Sequence, residues 1–286
     1  MLADLLNMSL ERNEDLGLGV GILTTLLKPG KPVGPVENIR PIVLLPLLRK
    51  ILSLIVLARM RPPINAYLSS SQSAYRIGRY TADIIWAHRW LIAKTLKYRV
   101  AIHILGLHMS RAFDTIDRQK LLDILETIPD LSNDCKRLIR ILLANTSLIV
   151  RFNGILTQPF ESNVGSPQGD ALSPILFAVY LEYALRQLRK DGPQRPSVDI
   201  DVDIPLEAIY ADDVDFISLC HNFLDQVHSQ VGPIFKELKL LVNNAKTEHT
   251  IIRHNDMLND EFAWCKVKKL GSLLGVKEDV GRRILL

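Results

Sequence analysis

Cysteine is scarce in this chain. Cys135, Cys220 and Cys265 are the three in 286 residues, far apart and with no CxxC pair among them. That spacing argues against a zinc knuckle and a disulfide framework, and it fits a reducing, intracellular compartment. Internal repeats and low-complexity tracts are missing too, so the sequence does not read as a repeat array. The N-terminal stretch "MLADLLNMSLERNEDLG" lacks a basic leader ahead of an apolar core, which argues against secretion and leaves the nucleus or cytoplasm as the expected location. An uninterrupted membrane-length run is also lacking. The most apolar stretch, "PIVLLPLLRKILSLIVLARM", is broken by Arg49 and Lys50 and reads as a buried helix, so no membrane partner is expected.

Acidic residues are nearly absent from one region. Between Lys28 and Arg99 there are 13 basic residues against two acidic ones, Glu37 and Asp83. That segment carries +11 in a chain whose net charge is +4, so the remainder is acidic. A basic lobe joined to an acidic one suits a polyanion on the first and metal cations on the second; scattered solvated charge is the blander alternative. The composition, 48% hydrophobic and 23% charged, is ordinary for a folded protein. A chain of this length suits one large domain or two lobes sharing a cleft.

The pattern of elements is mixed. Residues 1–19 read as a helix and linker. "VGILTTLLK" and "IRPIVLLP" read as two strands of a hairpin around the Pro- and Gly-rich "KPGKPVGPVE". A helix is expected from Leu47 to about Met60, ended by Pro62-Pro63, and another over 82–96. A strand runs from Ile102 to Leu107, followed by helices near 117–128 and 131–145. Then come a hairpin turning at Asn153-Gly154 and a long apolar helix over 172–189. "SVDIDVDIPLEAIYADDVDFISL" alternates as a β-hairpin whose expected turn is Asp212-Asp213. A helix at about 222–239 and short strands at 249–253 and 267–271 follow. Irregular mixing of this kind predicts an α+β fold rather than a doubly wound sheet.

The chemistry is expected at the acidic hairpin tip. Adjacent carboxylates between apolar strands repel each other unless a cation intervenes, so "YADD", 210–213, reads as a divalent-metal site. On its own the tetrapeptide would equally be an Asp-rich turn.

It stands in a series. "RPIVLLPLLRKI", "SQSAYRIGRYTADII", "MSRAFDTID", "GSPQGDALSPILF", "YADD" and "NNAKTE" resemble, in order, the successive motifs of reverse transcriptases, in particular those of non-LTR, LINE-type retrotransposons. The resemblance runs from about residue 20 to the C-terminus. It implies a right-hand polymerase fold with fingers and a palm built on an antiparallel sheet, the thumb being largely missing. The implied division is an N-terminal helix and linker over 1–19, fingers over 20–100 and palm over 101–250. Residues 118–160 would be an insertion packing towards the fingers, and 251–286 would hold the end of the palm and the primer grip.

The resemblance also implies an activity: RNA-directed DNA synthesis with two Mg²⁺ ions, Mn²⁺ being an alternative. Its partners would be an RNA template, a DNA primer and deoxynucleoside triphosphates. Lys31 and Arg40 match positions that clamp the triphosphate, although Lys28 lies close enough to compete for the first role. Phe113 matches the bulky gate beneath the sugar, and simple core packing is its alternative. Gln168 and Gly169 match the turn that contacts template and nucleotide, while Gly165 and Pro167 shape it. Lys246 resembles the lysine that helps protonate pyrophosphate, or is a solvated surface lysine. Arg76, Arg79 and Thr81 look like template-backbone contacts, or belong to a solvated face. Leu270 and Gly271 look like the primer grip.

One position departs from the pattern. The family's metal ligands are the first Asp of the palm strand and the Asp pair, which here are His108, Asp212 and Asp213. "HMSRAFD" carries histidine where the first carboxylate belongs, and Asp114 is the second acid of that motif, expected to cap the following helix. An imidazole is never anionic and is a poor Mg²⁺ ligand, so polymerisation by this chain is expected to be impaired. A catalytically inactive, nucleic-acid-binding remnant is the alternative. An RNA-directed RNA polymerase fits less well, because Phe113 would exclude a 2′-hydroxyl and Ala211 stands where that family usually has Gly.

Overall fold

The computed structural model describes residues 4, 7–8, 11–12, 17–30, 32–152, 154–194, 204–254, 268–269 and 272–273. Most of the expected N-terminal helix, and Asn153 of the expected hairpin turn, lie outside them. In chain order the strands are β1 (Val20–Leu27), β2 (Ile39–Leu44), β3 (Ile102–Ser110), β4 (Ser147–Phe152), β5 (Ile155–Leu156), β6 (Phe160–Glu161), β7 (Glu207–Tyr210), β8 (Asp213–Ser218), β9 (Leu241–Val242), β10 (Glu248–Ile252), β11 (Lys268–Lys269) and β12 (Ser272–Leu273). The helices are α1 (Leu47–Tyr67), α2 (Thr81–Tyr98), α3 (Arg118–Glu126), α4 (Asn133–Leu143), α5 (Ser173–Asp191) and α6 (His221–Glu237). The chain folds as two compact units, residues 1–68, 111–183 and 238–240 in the first and 69–110, 184–237 and 241–286 in the second.

In the first unit, β1 and β2 form the expected antiparallel hairpin, with Ile22 opposite Leu44 and Leu27 opposite Ile39. β4 runs parallel to β1, and β5 and β6 both pair antiparallel with β4. Helices α3 and α4 start where polar side chains satisfy free amides: Asp117 accepts from the Lys120 amide at 3.1 Å and Ser132 from the Cys135 amide at 3.3 Å. The expected cap, Asp114, does not serve; it lies three residues before the capping position and receives the Gln168 amide instead. Helix α1 passes through Pro62 and Pro63, where a stop was expected. Proline in a helix interior forfeits an amide hydrogen bond. Val56, Met60, Ile64 and Tyr67 continue one buried stripe past the prolines, and packing outweighs that loss.

In the second unit the sheet order is β10-β3-β8-β7, with β9 extending β3 beyond its pairing with β10. All these pairings are antiparallel. β3 is buried on both sides, which is why "IHILGL" reads as a near-continuous apolar run. One face carries Ile104 and Ile217, packed against Ile84, Leu91 and Ile92 of α2. Full burial of such side chains contributes about 1.5–3 kcal/mol each. The opposite face carries His103, which meets His221 at the start of α6.

β3 extends three residues further than expected, so His108 sits inside the strand rather than past its end. The β7–β8 turn is Ala211-Asp212, because Tyr210 pairs with Asp213; the expected Asp212-Asp213 turn is one residue out. Ala211 takes a φ of 57°, as a two-residue hairpin turn with inverted twist demands.

Candidate active site

The acidic hairpin and the strand beside it form one site in the second unit. β8 begins at Asp213, directly opposite His108 on β3, and the imidazole Nδ1 lies 2.5 Å from Asp213 Oδ1. Both side chains are about one-third exposed. Asp212, in the turn, has its carboxyl pushed up from the ordinary carboxylate range, first by burial and then by the Asp213 charge; its own backbone amide, His108 and Lys246 pull in the other direction. Lys246 lies in the short 3₁₀ turn Asn244–Lys246. The adjoining Asn243 amide donates to the His108 carbonyl at 2.8 Å.

The hairpin turn is braced by a residue that sequence reasoning missed. Gln72 is 2% exposed, and its Oε1 accepts from the Ala211 amide at 3.2 Å and the Ala74 amide at 2.9 Å. The flanking backbone adds a strand-like pairing to β7: the Ser73 amide donates to the Ile209 carbonyl at 2.9 Å, and the Ile209 amide to the Ser71 carbonyl at 3.0 Å. Tyr75 follows with a φ of 61°, and its phenol is pushed up to about 12 by burial, then by Asp212 and Tyr210. Behind the hairpin, buried His88 on α2 holds Asp215 of β8, Nε2 to Oδ2 at 2.9 Å, while its Nδ1 is 2.8 Å from the Ile84 carbonyl.

Of the expected template contacts, Arg76 donates to the Ser69 carbonyl at 2.6 Å and the Gln72 carbonyl at 3.1 Å, bracing its own loop. Arg79 and Thr81 are exposed, the latter opening α2.

The first unit assembles the motifs from which nucleotide contacts were expected. The Phe113 ring packs 5.1 Å, centroid to centroid, from Phe177. Gln168 donates from Nε2 to Asp114 Oδ1 at 3.2 Å, and its carbonyl accepts the Val43 amide of β2 at 2.7 Å. Gly169 has a φ of 125°, and a Cβ there would stand 2.4 Å from the Val43 carbonyl oxygen, so only glycine fits. Gly165, at a φ of 77°, is held closely against the Phe113 carbonyl. A cleft of about 240 Å³ opens between β2 and this turn, lined in part by Pro41, Val43, Asp114, Thr146, Pro167 and Gln168. Arg40 is exposed on β2.

The turn is anchored from below by Arg49. This residue, read in the sequence as a charge breaking an apolar run, is 1% exposed and donates from Nε to Asp170 Oδ2 at 3.0 Å. Arg118 ties α3 to the segment before the turn, donating to the Gly165 carbonyl and the Leu143 carbonyl, both at 2.8 Å. Burial, then the charge of Arg49, pushes its guanidinium down to about 10. Lys31, Leu270 and Gly271 lie outside the described residues.

Solved structures share this architecture. Apo telomerase from Candida tropicalis truncated from its C-terminal domain superposes with a TM-score of 0.58 at 14% identity, over 82% of this chain and 50% of that one. Telomerase from Candida tropicalis in complex with a TWJ fragment of telomeric RNA gives 0.61 at 13% identity, over 87% and 44%. The fold is the right-hand polymerase fold, α+β, with a wholly antiparallel sheet in the second unit and a single parallel pairing, β1 with β4, in the first.

A family model described as reverse transcriptase (RNA-dependent DNA polymerase) matches residues 26–277, and the chain belongs to that family. Two relatives are transposon proteins. One is the transposon TX1 uncharacterized 149 kDa protein of Xenopus laevis, 27% identical over 209 residues. The other is the probable RNA-directed DNA polymerase from transposon X-element of Drosophila melanogaster, 28% identical over 164 residues. The matches cover 73% and 56% of this chain but 16% and 18% of those proteins, so the chain spans less than a fifth of either. The motif resemblance is thereby borne out. No helix among the described residues is long and apolar enough to cross a membrane.

Proposed function

We propose that this chain is the fingers and palm of a non-LTR-type retrotransposon reverse transcriptase, an RNA-directed DNA polymerase by descent whose nucleotidyl transfer is impaired by His108. Residues 20–100 are assigned to the fingers and 101–250 to the palm. The observation that carries the reading is the pairing of His108 with Asp213 at the strand position where the family's motif places a carboxylate.

The residues fit one hard cation. Asp212 and Asp213 are adjacent, and the burial and the Asp213 charge that raise the Asp212 carboxyl are both penalties on an anion that a divalent ion would offset. What Mg²⁺ supplies there, when bound, is a lowered pKa for the primer 3′-hydroxyl and neutralised charge on the triphosphate. A second ion fits poorly, because His108 offers no anionic oxygen to bridge two cations and its ring already engages Asp213.

The remaining roles are assigned on the motif resemblance. Arg40 would grip triphosphate oxygens with a planar, permanently charged fork, and Lys31 would add a mobile point charge. The Phe113 ring, held against Phe177, would exclude a ribose 2′-hydroxyl. Gln168 and the glycine-shaped turn at Gly169 would let the backbone approach template and nucleotide. Lys246 would deliver a proton to the departing pyrophosphate. Arg76, through its loop, and Arg79 and Thr81 would bear on the template backbone; Leu270 and Gly271 would seat the primer end.

A nucleic-acid-binding remnant is the second reading, favoured by the same His108 contact together with the +11 charge of residues 28–99. Primer extension on an RNA template, wild type beside His108→Asp, separates them. Slow extension by the wild type and rapid extension by the variant support the polymerase reading. Equal, efficient extension by both overturns the assignment of His108. Template binding with no extension by either supports the remnant.

A further inference from the structure

We propose a second metal centre, a transition-metal site on the face of the second unit's sheet that carries α6, formed by His221, Asp225 and His249. It stands apart from the carboxylate hairpin and takes Zn²⁺ as a cross-link between the first turn of α6 and the edge strand β10.

The three side chains converge from two elements. His221 and Asp225 are four residues apart on α6, one turn above each other on the same helical stripe. His249 is on β10, opposite Leu105 of β3. His221 Nε2 lies 3.5 Å from Asp225 Oδ2, and His249 Nδ1 lies 3.9 Å from Asp225 Oδ1. The three potential ligand atoms all fall within 4.8 Å of one another. Zinc with ligands at about 2.0–2.1 Å needs donor atoms roughly 3.3 Å apart in a tetrahedron. The contacts of 3.5 and 3.9 Å lie close to that spacing, and all three residues are exposed. Three protein ligands leave a fourth position for water.

The surroundings suit an imidazole-bound ion. Four of the chain's histidines gather here: the His103 ring is 5.2 Å from His221, the His221 ring 5.3 Å from His249, and the His228 ring 6.1 Å from His249. His103 Nδ1 is buried with no hydrogen-bond partner among the described residues, beside the ring of a proposed ligand. Two imidazole nitrogens and one carboxylate form a borderline donor set that favours zinc or its first-row neighbours over Mg²⁺, which prefers all-oxygen shells.

The pattern H-x3-D-x2-H, His221, Asp225 and His228, is visible in the sequence as an i, i+4, i+7 stripe. What the sequence could not show is the third ligand, because His249 comes from a separate strand well downstream of the helix.

The test is metal titration of the whole chain, stripped with a chelator, using Zn²⁺ by calorimetry and Co²⁺ by its visible absorption. One equivalent binds, Co²⁺ gives the intense bands of a four-coordinate site, and Zn²⁺ raises the melting temperature by about 5 °C at saturating concentration. His221→Ala and His249→Ala weaken binding by roughly 100-fold or more, and Asp225→Asn, which keeps the side-chain shape, by at least about tenfold. Asp212→Asn with Asp213→Asn retains the equivalent. Failure to bind either ion overturns the proposal, as does loss of the equivalent in the Asp212 and Asp213 variant with its retention in all three ligand variants.

Discussion

His108 and Asp213 face each other in register on β3 and β8, imidazole Nδ1 to carboxylate Oδ1 at 2.5 Å. On the proposed function, the contact uses one oxygen of a carboxylate that would hold a cation, and it puts a nitrogen where the family's motif has a carboxylate oxygen. A hydrogen bond to Asp213 and a metal on Asp213 compete for the same lone pair. His108→Asp removes the competitor and adds a charge. Transition-state stabilisation worth about 4 kcal/mol corresponds to roughly a thousandfold in rate. Single-turnover incorporation of one deoxynucleotide onto a DNA primer annealed to RNA should rise by that order in His108→Asp. His108→Asn should stay at the wild-type level, since it frees the Asp213 oxygen without supplying an anion.

Gln72 links the "SQSAY" motif to the acidic hairpin. Its Oε1 accepts from Ala211, whose positive φ shows how tightly the turn is held. Gln72→Leu keeps the bulk but leaves two buried amides, those of Ala211 and Ala74, without their acceptor, at about 1–3 kcal/mol each. Urea unfolding should show that loss. Amide exchange at Ala211 and Asp212 should accelerate beyond the global change, because one of the freed donors lies in the turn itself.

Much of this architecture was legible from the chain. The β1–β2 hairpin, α2, α5 and the β7–β8 pair follow from periodicity and turn residues, because each buries one stripe or one face. Misreadings came where tertiary packing outweighed local signals. Pro62 and Pro63 do not end α1, since Ile64 and Tyr67 are buried beyond them. β3 runs on to Ser110 because its last residues pair with β9, a strand far downstream whose arrival no local window could show. At the site, adjacent carboxylates and the histidine were visible in the motifs. Gln72, His88 and Tyr75 were not, since a lone polar side chain gives no sign of the partner that buries it.

Arg49 and Asp170 illustrate such a buried pair, 3.0 Å apart with side chains 1% and 4% exposed. Removing one partner of a buried pair strands the other charge and costs about 3–5 kcal/mol. Arg49→Met should therefore destabilise the fold severely, while the double variant Arg49→Met with Asp170→Asn, which keeps an oxygen for the Leu172 amide, should recover most of the loss. Thermal unfolding of the two single variants and the double closes the cycle. Additive losses would show that the two side chains act independently.

Asp117 caps α3 and also accepts from Lys239 Nζ at 2.8 Å, and the Lys239 hydrogen bond is the first cause holding its carboxyl below the ordinary range. A carboxylate whose folded pKa is depressed adds stability that is complete above its unfolded value, about 3.9, and is lost as pH falls through the folded value. Lys239 is largely exposed, so solvent screening limits the pair to about 0.2–1 kcal/mol. Lys239→Ala should therefore be less stable than the wild type by that amount at pH 7. The difference should hold down to about pH 4 and shrink below it, as Asp117 becomes neutral in the wild type and no longer attracts the ammonium. Urea denaturation at pH 7, 4 and 3 measures this directly. A gap that stays constant across the three values would assign the cost to packing of the lysine stem rather than to its charge.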